Sequence, residues 1–177
     1  RSVGNSYNAF VVESFIDELA VAAGSDPFEY RRTRLQEHPR HLAVLDRLRQ
    51  ESRWGEPQAA DASPADGWQS GRGLAIFESF GTVVGQLADV AVSNTGIIRV
   101  HKVVCVVDCG IAVNPDIVRQ QMEGGIIFGL TAALYGKITI ENGAVVQGNF
   151  DTYQMLRMNE MPEVDVHIVP STEPPSG

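Results

Sequence analysis

Between Asn8 and Ala23 the apolar residues Val12, Phe15, Ile16, Leu19, Ala20 and Ala23 recur at steps of three and four, with Glu13, Asp17 and Glu18 largely between them. That period predicts an amphipathic helix, and Gly24 stands where a helix end favours a left-handed residue. Asp26-Pro27, with Glu29 three residues after the aspartate, predicts a capping box opening a second short helix through Leu35. A third helix starts at Pro39 and carries Leu42, Leu45 and Leu48 on one face to Glu51.

Residues 55–70 have no apolar period and hold Gly55, Pro57, Pro64 and Gly67, so they read as a surface loop. After Gly71 the pattern turns to strands, at Leu74 to Phe80, Val83 to Val92 and Ile97 to Val107, the last two joined by Ser93-Asn94-Thr95-Gly96. The third strand has wet positions such as Arg99 and His101 in its first half, and its second half reads as buried. The pattern breaks at Cys109-Gly110, and a helix is expected from Asn114 to Tyr135, closed by Gly136. Glu141-Asn142-Gly143 between Lys137–Ile140 and Ala144–Gln147 is a hairpin signal, because Asn-Gly suits a turn of positive φ. Val164 to Val169 alternates as a last strand.

The expected organisation is therefore a helical segment 1–54, the loop 55–70 and an α+β segment 71–177, with a mostly antiparallel sheet and one long glycine-rich helix. No 18-residue apolar run long enough to span a bilayer is present. Composition adds that 14 basic residues face 22 acidic ones, a net charge of −8, and that only Lys102 and Lys137 are lysines. Nothing in that balance favours nucleic acid or an anionic membrane. Cys105 and Cys109, four apart on a strand, would lie roughly 13 Å apart, too far for a disulfide. They also lack the spacing of a zinc site and read as buried, inert thiols.

Nucleophilic catalysis finds no support, since GxSxG is absent and His38, His41, His101 and His167 fall in different elements. A Walker A sequence and a GxGxxG after a strand are absent too, which disfavours ATP and nicotinamide binding. The sharper candidate is Gln121, whose carboxamide both donates and accepts. On a helix it shares a face with Gly124, Gly125 and Gly129, so a flat ligand has access to the backbone. Each of these glycines costs about 1 kcal/mol relative to alanine. The competing reading is that they let another helix pack closely, with Gln121 satisfying a buried carbonyl. A second candidate is the small-residue run Arg1, Ser2, Val3, Gly4, Asn5, Ser6, whose free amides suit an anion or an oxo group. Glu160 and Glu163 read as solvating carboxylates.

The segments RSVGNSYNAFVVESFIDELA, GRGLA, VVDCGIAVNPDIVRQQMEGGIIFGL and EVDVHIVPSTEPPSG together resemble the molybdenum-cofactor-binding large subunit of the xanthine dehydrogenase family. The pattern is nearest to its bacterial isoquinoline 1-oxidoreductase beta-subunit and aldehyde dehydrogenase branch. The resemblance covers nearly the whole chain, and 108–130 is its most specific part.

It implies oxidative hydroxylation of an aldehyde or N-heteroaromatic substrate with oxygen derived from water, and electron transfer to a [2Fe–2S] partner subunit. The implied cofactor is molybdopterin with molybdenum, in the cytosine dinucleotide form. Arg1, Ser2, Val3 and Gly4 match the loop beside the molybdenum, Gln121 matches a glutamine that contacts the cofactor, and Gly124 and Gly125 match close-approach positions. Val3 stands where the animal xanthine oxidases carry a phenylalanine that stacks on purine, which argues against xanthine. The family's catalytic base, a glutamate in a Gly-Glu motif, is expected just beyond Gly177, and other cofactor contacts upstream of Arg1. The chain thus reads as part of a site, completed by the rest of the large subunit and inactive alone. The alternative from another class is a non-catalytic α+β binding or scaffold domain that uses the glycine helix only for packing.

Overall fold

A computed structural model of the chain describes residues 3–56 and 67–177. Three helices come first, α1 (Asn5–Ala22), α2 (Pro27–Arg34) and α3 (Pro39–Ser52). Strands β1 (Trp68–Ser79), β2 (Thr82–Ser93) and β3 (Ile98–Asp108) follow, then α4 (Pro115–Tyr135), the two-residue strands β4 (Ile140–Glu141) and β5 (Ala144–Val145), and β6 (Glu163–Ile168). The main sheet has the order β1-β2-β3-β6, antiparallel except for the parallel β3–β6 pair, across which α4 is the connection. This is the expected α+β fold with its mostly antiparallel sheet.

β3 organises the interior. Its burial changes from wet to dry at Val103, as its sequence predicts, and every residue from Val103 to Asp108 is buried. Val104 and Val106 enter a core with Phe28 of α2, Val44, Leu45 and Leu48 of α3, and Leu74, Ile76, Val83 and Leu87 of the sheet. Val103, Cys105 and Val107 face the opposite way, toward Ile126 of α4 and Val166 of β6. Successive strand side chains point to opposite faces, so a continuous apolar run demands a helix on each side. On the α3 side the approach is close. A Cβ on Gly85 of β2 would lie 2.9 Å from Val44 Cγ1 and 3.3 Å from Leu48 Cδ2.

Several local expectations change in detail. β1 starts at Trp68, six residues before Leu74, because the polar stretch Trp68–Gly73 pairs in register with Ala88–Ser93. Asp26 caps α2 by accepting from the amides of Phe28 and Glu29, but the Glu29 carboxylate pairs with Arg49 and does not complete the box. The Asn142-Gly143 turn forms with φ of 50° and 79°, while the ladder beside it shrinks to two residues per strand. Residues 57–66 of the expected loop lie outside the described residues.

The largest difference concerns α1. Its apolar residues Val12, Phe15 and Leu19 are exposed, and the buried positions are Glu13 and Ala20. α1 lies beside β1, a strand hydrogen-bonded on one side only in the sheet order. Glu13 Oε2 accepts from the Ile76 amide at 2.8 Å and from Arg31 Nε at 3.0 Å. The same guanidinium donates to the Leu74 carbonyl, the Glu13 carbonyl, the Pro27 carbonyl and Asp17 Oδ1. A strand edge otherwise presents unpaired backbone groups to any passing strand. Here a buried ion pair supplies the missing donor and acceptor.

Removing one partner of a buried pair leaves an uncompensated charge and typically costs about 3–5 kcal/mol. Arg31→Met keeps much of the side-chain volume and strands the Glu13 carboxylate. Its unfolding free energy, from denaturant titration, is expected to fall by that amount, and a loss below about 1 kcal/mol would show that the pair does not hold the edge.

Candidate functional site

β1, β3 and β6 all finish at one end of the sheet, at Ser79, Asp108 and Ile168, and β2 starts there at Thr82. The start of α1 is pinned to this end by Asn5 Nδ2, which donates to Ser79 Oγ at 2.7 Å. α3 begins there too, and Arg40 in its first turn reaches the end of β3. Its Nε donates to Asp108 Oδ2 at 2.8 Å and one terminal nitrogen to Oδ1 at 3.0 Å, a two-point clasp of the carboxylate. The guanidinium also donates to the Gly81 and Asp108 carbonyls.

Asp108 is buried and has further partners. Its Oδ1 accepts from the Gly110 amide at 2.9 Å, fixing the turn that leaves β3. Hydrogen bonding from Arg40 is the largest cause holding the Asp108 carboxyl below its ordinary value; desolvation opposes it, and Gly110 N–H, the Arg40 charge and the Ser171 hydroxyl add to it. The C-terminal segment comes back over the same turn. The Ile111 amide donates to the Glu173 carbonyl and the Ser176 amide to the Cys109 carbonyl, both at 2.9 Å. Ser176 Oγ donates to the Gly81 carbonyl and accepts from Thr82 Oγ1. The fit is tight at Gly110, with φ +72°, where a Cβ would stand 2.1 Å from the Pro174 carbonyl oxygen. Only glycine satisfies both conditions.

From this turn the chain enters α4, capped by Asn114, whose side chain accepts from the Asp116 and Ile117 amides. Gln121 lies about 9 Å further along the helix axis, at 1.5 Å per residue. It is exposed, and its carboxamide has no partner among the described residues. Gly124, Gly125 and Gly129 are exposed as well, and a Cβ on any of them would meet nothing within 4 Å. The reading in which these glycines admit a neighbouring helix therefore finds no such helix among the described residues. Gly125 and Gly129 instead line a cleft of about 690 Å³ between α4, α1 and the sheet, together with Phe10, Ser14, Ala75 and Ala88.

The second candidate loop is only partly described, because Arg1 and Ser2 lie outside the described residues. Val3 is 79 % exposed and has φ +51°, a left-handed conformation that a β-branched residue adopts at a cost of order 1–3 kcal/mol. Gly4 follows as the residue before α1, where a Cβ would lie 2.9 Å from the Tyr7 hydroxyl. Val3 and Gly4 share an end of the sheet with the start of α4, though no hydrogen bond among the described residues joins them to Gln121.

Other chemistry-bearing groups have structural partners. Cys105 is free and buried, its thiol pushed up to about 12 by burial against a smaller opposing hydrogen bond from Gln86, and Cys109 is free and buried. Glu160 accepts from the Tyr135 hydroxyl at 2.6 Å and the Arg157 amide, and Glu163 pairs with Lys102. His41 faces Glu78, and burial lowers its pKa. Among the described residues no group of three His, Cys, Asp or Glu side chains is placed to hold a metal ion. The sequence pattern assigns no role to Arg40 or Asp108. Asp108 stands inside the most specific block, but its partner is 68 positions away, a distance no local pattern spans.

The model of the molybdopterin cofactor-binding domain matches residues 68–162, from β1 through the 3-10 turn before β6. The chain belongs to this family. Along its whole length it is 33% identical to the beta-subunit of isoquinoline 1-oxidoreductase from Brevundimonas diminuta, of which it covers 22%. It is 35% identical to one of the subunits of nicotinate dehydrogenase from Pseudomonas putida, of which it covers 16%. The chain thus spans about a fifth of the length of these relatives. The aldehyde oxidoreductase of Desulfovibrio desulfuricans shares the fold over 96% of this chain and 35% of its own, with a TM-score of 0.70 at 13% identity. The resemblance to the xanthine dehydrogenase family large subunit thereby holds, and this molybdopterin cofactor-binding domain carries Gln121 and the glycine face of α4 within the matched span.

The Asp108 clasp makes a pH-dependent contribution of definite sign. Its folded pKa is depressed below its unfolded value, so its stabilisation is complete above the ordinary aspartate value of about 3.9 and is lost as pH falls through the depressed one. Asp108→Asn is expected to unfold more readily at neutral pH and to show a flatter acid limb, measured by thermal melts between pH 2 and pH 7. An acid limb as steep as that of the wild type would place the responsible proton elsewhere.

Proposed function

We propose that this chain forms one wall of the molybdopterin site in the large subunit of a molybdenum hydroxylase. The observation that carries the reading is the face of α4 on which Gln121, whose carboxamide has no partner among the described residues, stands beside three glycines with open space above their backbones. A carboxamide addresses the donor and acceptor edge of a pterin through both its N–H and its carbonyl, and glycine lets a flat ring system approach the helix backbone. When bound, the cofactor supplies the two-electron redox centre. In this reading Gln121 orients it, Gly124 and Gly125 set its distance from the helix, and the loop Arg1, Ser2, Val3, Gly4 faces the metal side.

The substrate class proposed is an aldehyde or an N-heteroaromatic compound. The names of the relatives, which refer to isoquinoline and nicotinate, support the second. Val3 places an aliphatic side chain in the loop, so a substrate ring there is held by one-sided apolar contact and not by aromatic stacking. The oxygen derives from water, the electrons pass to a [2Fe–2S] partner subunit, and the nucleotide form of the cofactor is the cytosine dinucleotide. The catalytic base and the remaining cofactor contacts come from parts of the large subunit outside these 177 residues. A purely scaffolding domain would use the α4 glycines for packing, and no helix among the described residues covers them.

The test is to express the full-length subunit carrying this sequence with its iron–sulfur partner, and to assay aldehydes and N-heteroaromatics with a dye acceptor. Gln121→Ala is expected to fold normally and to lose about 10-fold to 100-fold in molybdenum content or turnover, as for groups that orient a metal cofactor. Unchanged molybdenum and rate would remove Gln121 from the site.

A further inference from the structure

The end of the sheet holds a device that the molybdopterin reading does not use. Five segments meet there: the first turn of α3 through Arg40, the β1–β2 turn through Gly81, the end of β3 through Asp108, the Cys109–Ile111 turn, and the C-terminal segment Ser171–Ser176. Two groups join them. The Asp108 carboxylate takes Arg40 and the Gly110 amide, and the Gly81 carbonyl takes Arg40 and Ser176 Oγ. Arg40 touches both groups, donating from three nitrogens at 2.8 to 3.1 Å.

We infer that Arg40 is a positioning residue of the proposed site: through Asp108 and Gly81 it fixes the Cys109–Ile111 turn and the C-terminal segment lying on it, and so sets where α4 begins. The inference rests on the reading of α4 as a cofactor wall. Its physical basis is the rigidity of a planar fork. A guanidinium satisfies two carboxylate oxygens and two carbonyls from one position, whereas an ammonium is a point charge on a flexible stem. Beyond this clasp the turn is held by the burial of Cys109 beside Ile126 and Val166 and by two backbone hydrogen bonds to the C-terminal segment. Ile111 and Val113 are exposed, at 49 % and 84 %, so packing does not fix their place. The backbone at Gly110 has no slack against Pro174, and a movement of the segment after Ser171 is a movement of the turn. α4 follows within five residues of Gly110, and Gln121 and Gly124 move with its start. The charged and titratable groups around the clasp are Arg40 and His41 on α3, Glu78 on β1 and Glu173 in the C-terminal segment; Glu78 and Glu173 favour the charged guanidinium.

The test compares wild type, Arg40→Gln and Arg40→Lys in the full-length subunit assembled with its partner, by hydrogen exchange, molybdenum content and kinetics. In Arg40→Gln, exchange in residues 109–113 and 171–177 is expected to rise by roughly tenfold or more while 103–107 stays protected. Protection of 171–177 in the wild type should persist as pH falls below about 4, and in Arg40→Gln it should be lost within the ordinary aspartate range near that value. Arg40→Lys restores the charge and should move the pH midpoint back down, without the full protection of the turn. Molybdenum should remain bound in all three, with kcat lowered about 10-fold to 100-fold in Arg40→Gln and KM little changed, as for a misplaced but intact site. Unchanged exchange at 109–113 and 171–177, or raised exchange with wild-type kcat, would overturn the positioning role. A wild-type subunit without molybdenum would instead defeat the cofactor reading and this inference with it, and the exchange data would then report on the clasp alone.

Discussion

Everything in this fold is arranged around one strand that is buried on both faces. The residues Val103 to Val107 are each within 2 % of full burial, and each of the four valines among them contributes about 1.5–3 kcal/mol of apolar transfer on folding. No other described stretch of the chain concentrates as much. Because alternate residues point in opposite directions, burying the run requires layers on both sides. α2 and α3 cover Val104 and Val106, and α4 with β6 covers Val103, Cys105 and Val107. The parallel β6 follows from the same demand. The connection that brings the chain back beside β3 passes through α4, and α4 is the cover for the second face.

A sheet built in this way has to end somewhere, and polar chemistry appears where it ends. On the β1 side, Arg31 and Glu13 give the strand's amide and carbonyl groups the partners that a further strand would have provided. At the carboxyl end of β3, Asp108 is the first polar side chain after the apolar run and is buried with it. Its charge is tolerable because Arg40 clasps it and the Gly110 amide donates to it. The two ion pairs have the same logic. Each takes a guanidinium from a helix to satisfy a carboxylate together with backbone groups of the sheet, so each secures a helix and finishes a strand.

The candidate site lies at these ends. The loop Val3–Gly4 is placed by the docking of α1 at Ser79, and α4 by the turn after Asp108. The cleft between α1 and α4 is lined by Phe10 and Ser14 of α1, Ala75 and Ala88 of the sheet and Gly125 and Gly129 of α4. In a domain that spans about a fifth of its relatives' length, exposed Phe10, Phe15 and Phe128 and open glycines on α4 are the features of surfaces suited to other groups, not of a finished molecular exterior.

Much of this is legible in the chain itself, wherever the signal is local. The apolar run of β3 and its wet first half, the start of a helix at Asn114, the Asn142-Gly143 turn and the spacing of Gln121 and the glycines along one helix depend on residues within a few positions of one another, and periodicity and backbone preference report such patterns directly. The face of α1 escapes that reading for the opposite reason. A helical period counts apolar residues, and it does not register a carboxylate that becomes the inward side chain because an arginine 18 positions away and an unpaired strand amide 63 positions away both meet it. The same limit hides the Arg40–Asp108 clasp, whose members are separated by 68 residues. The chain alone specifies the elements, the buried strand and the candidate cofactor helix, because burial period and turn chemistry are local. Only the folded arrangement fixes which charges go inside and which chain ends converge, because a buried ion is stable only when distant backbone and side-chain partners arrive around it together.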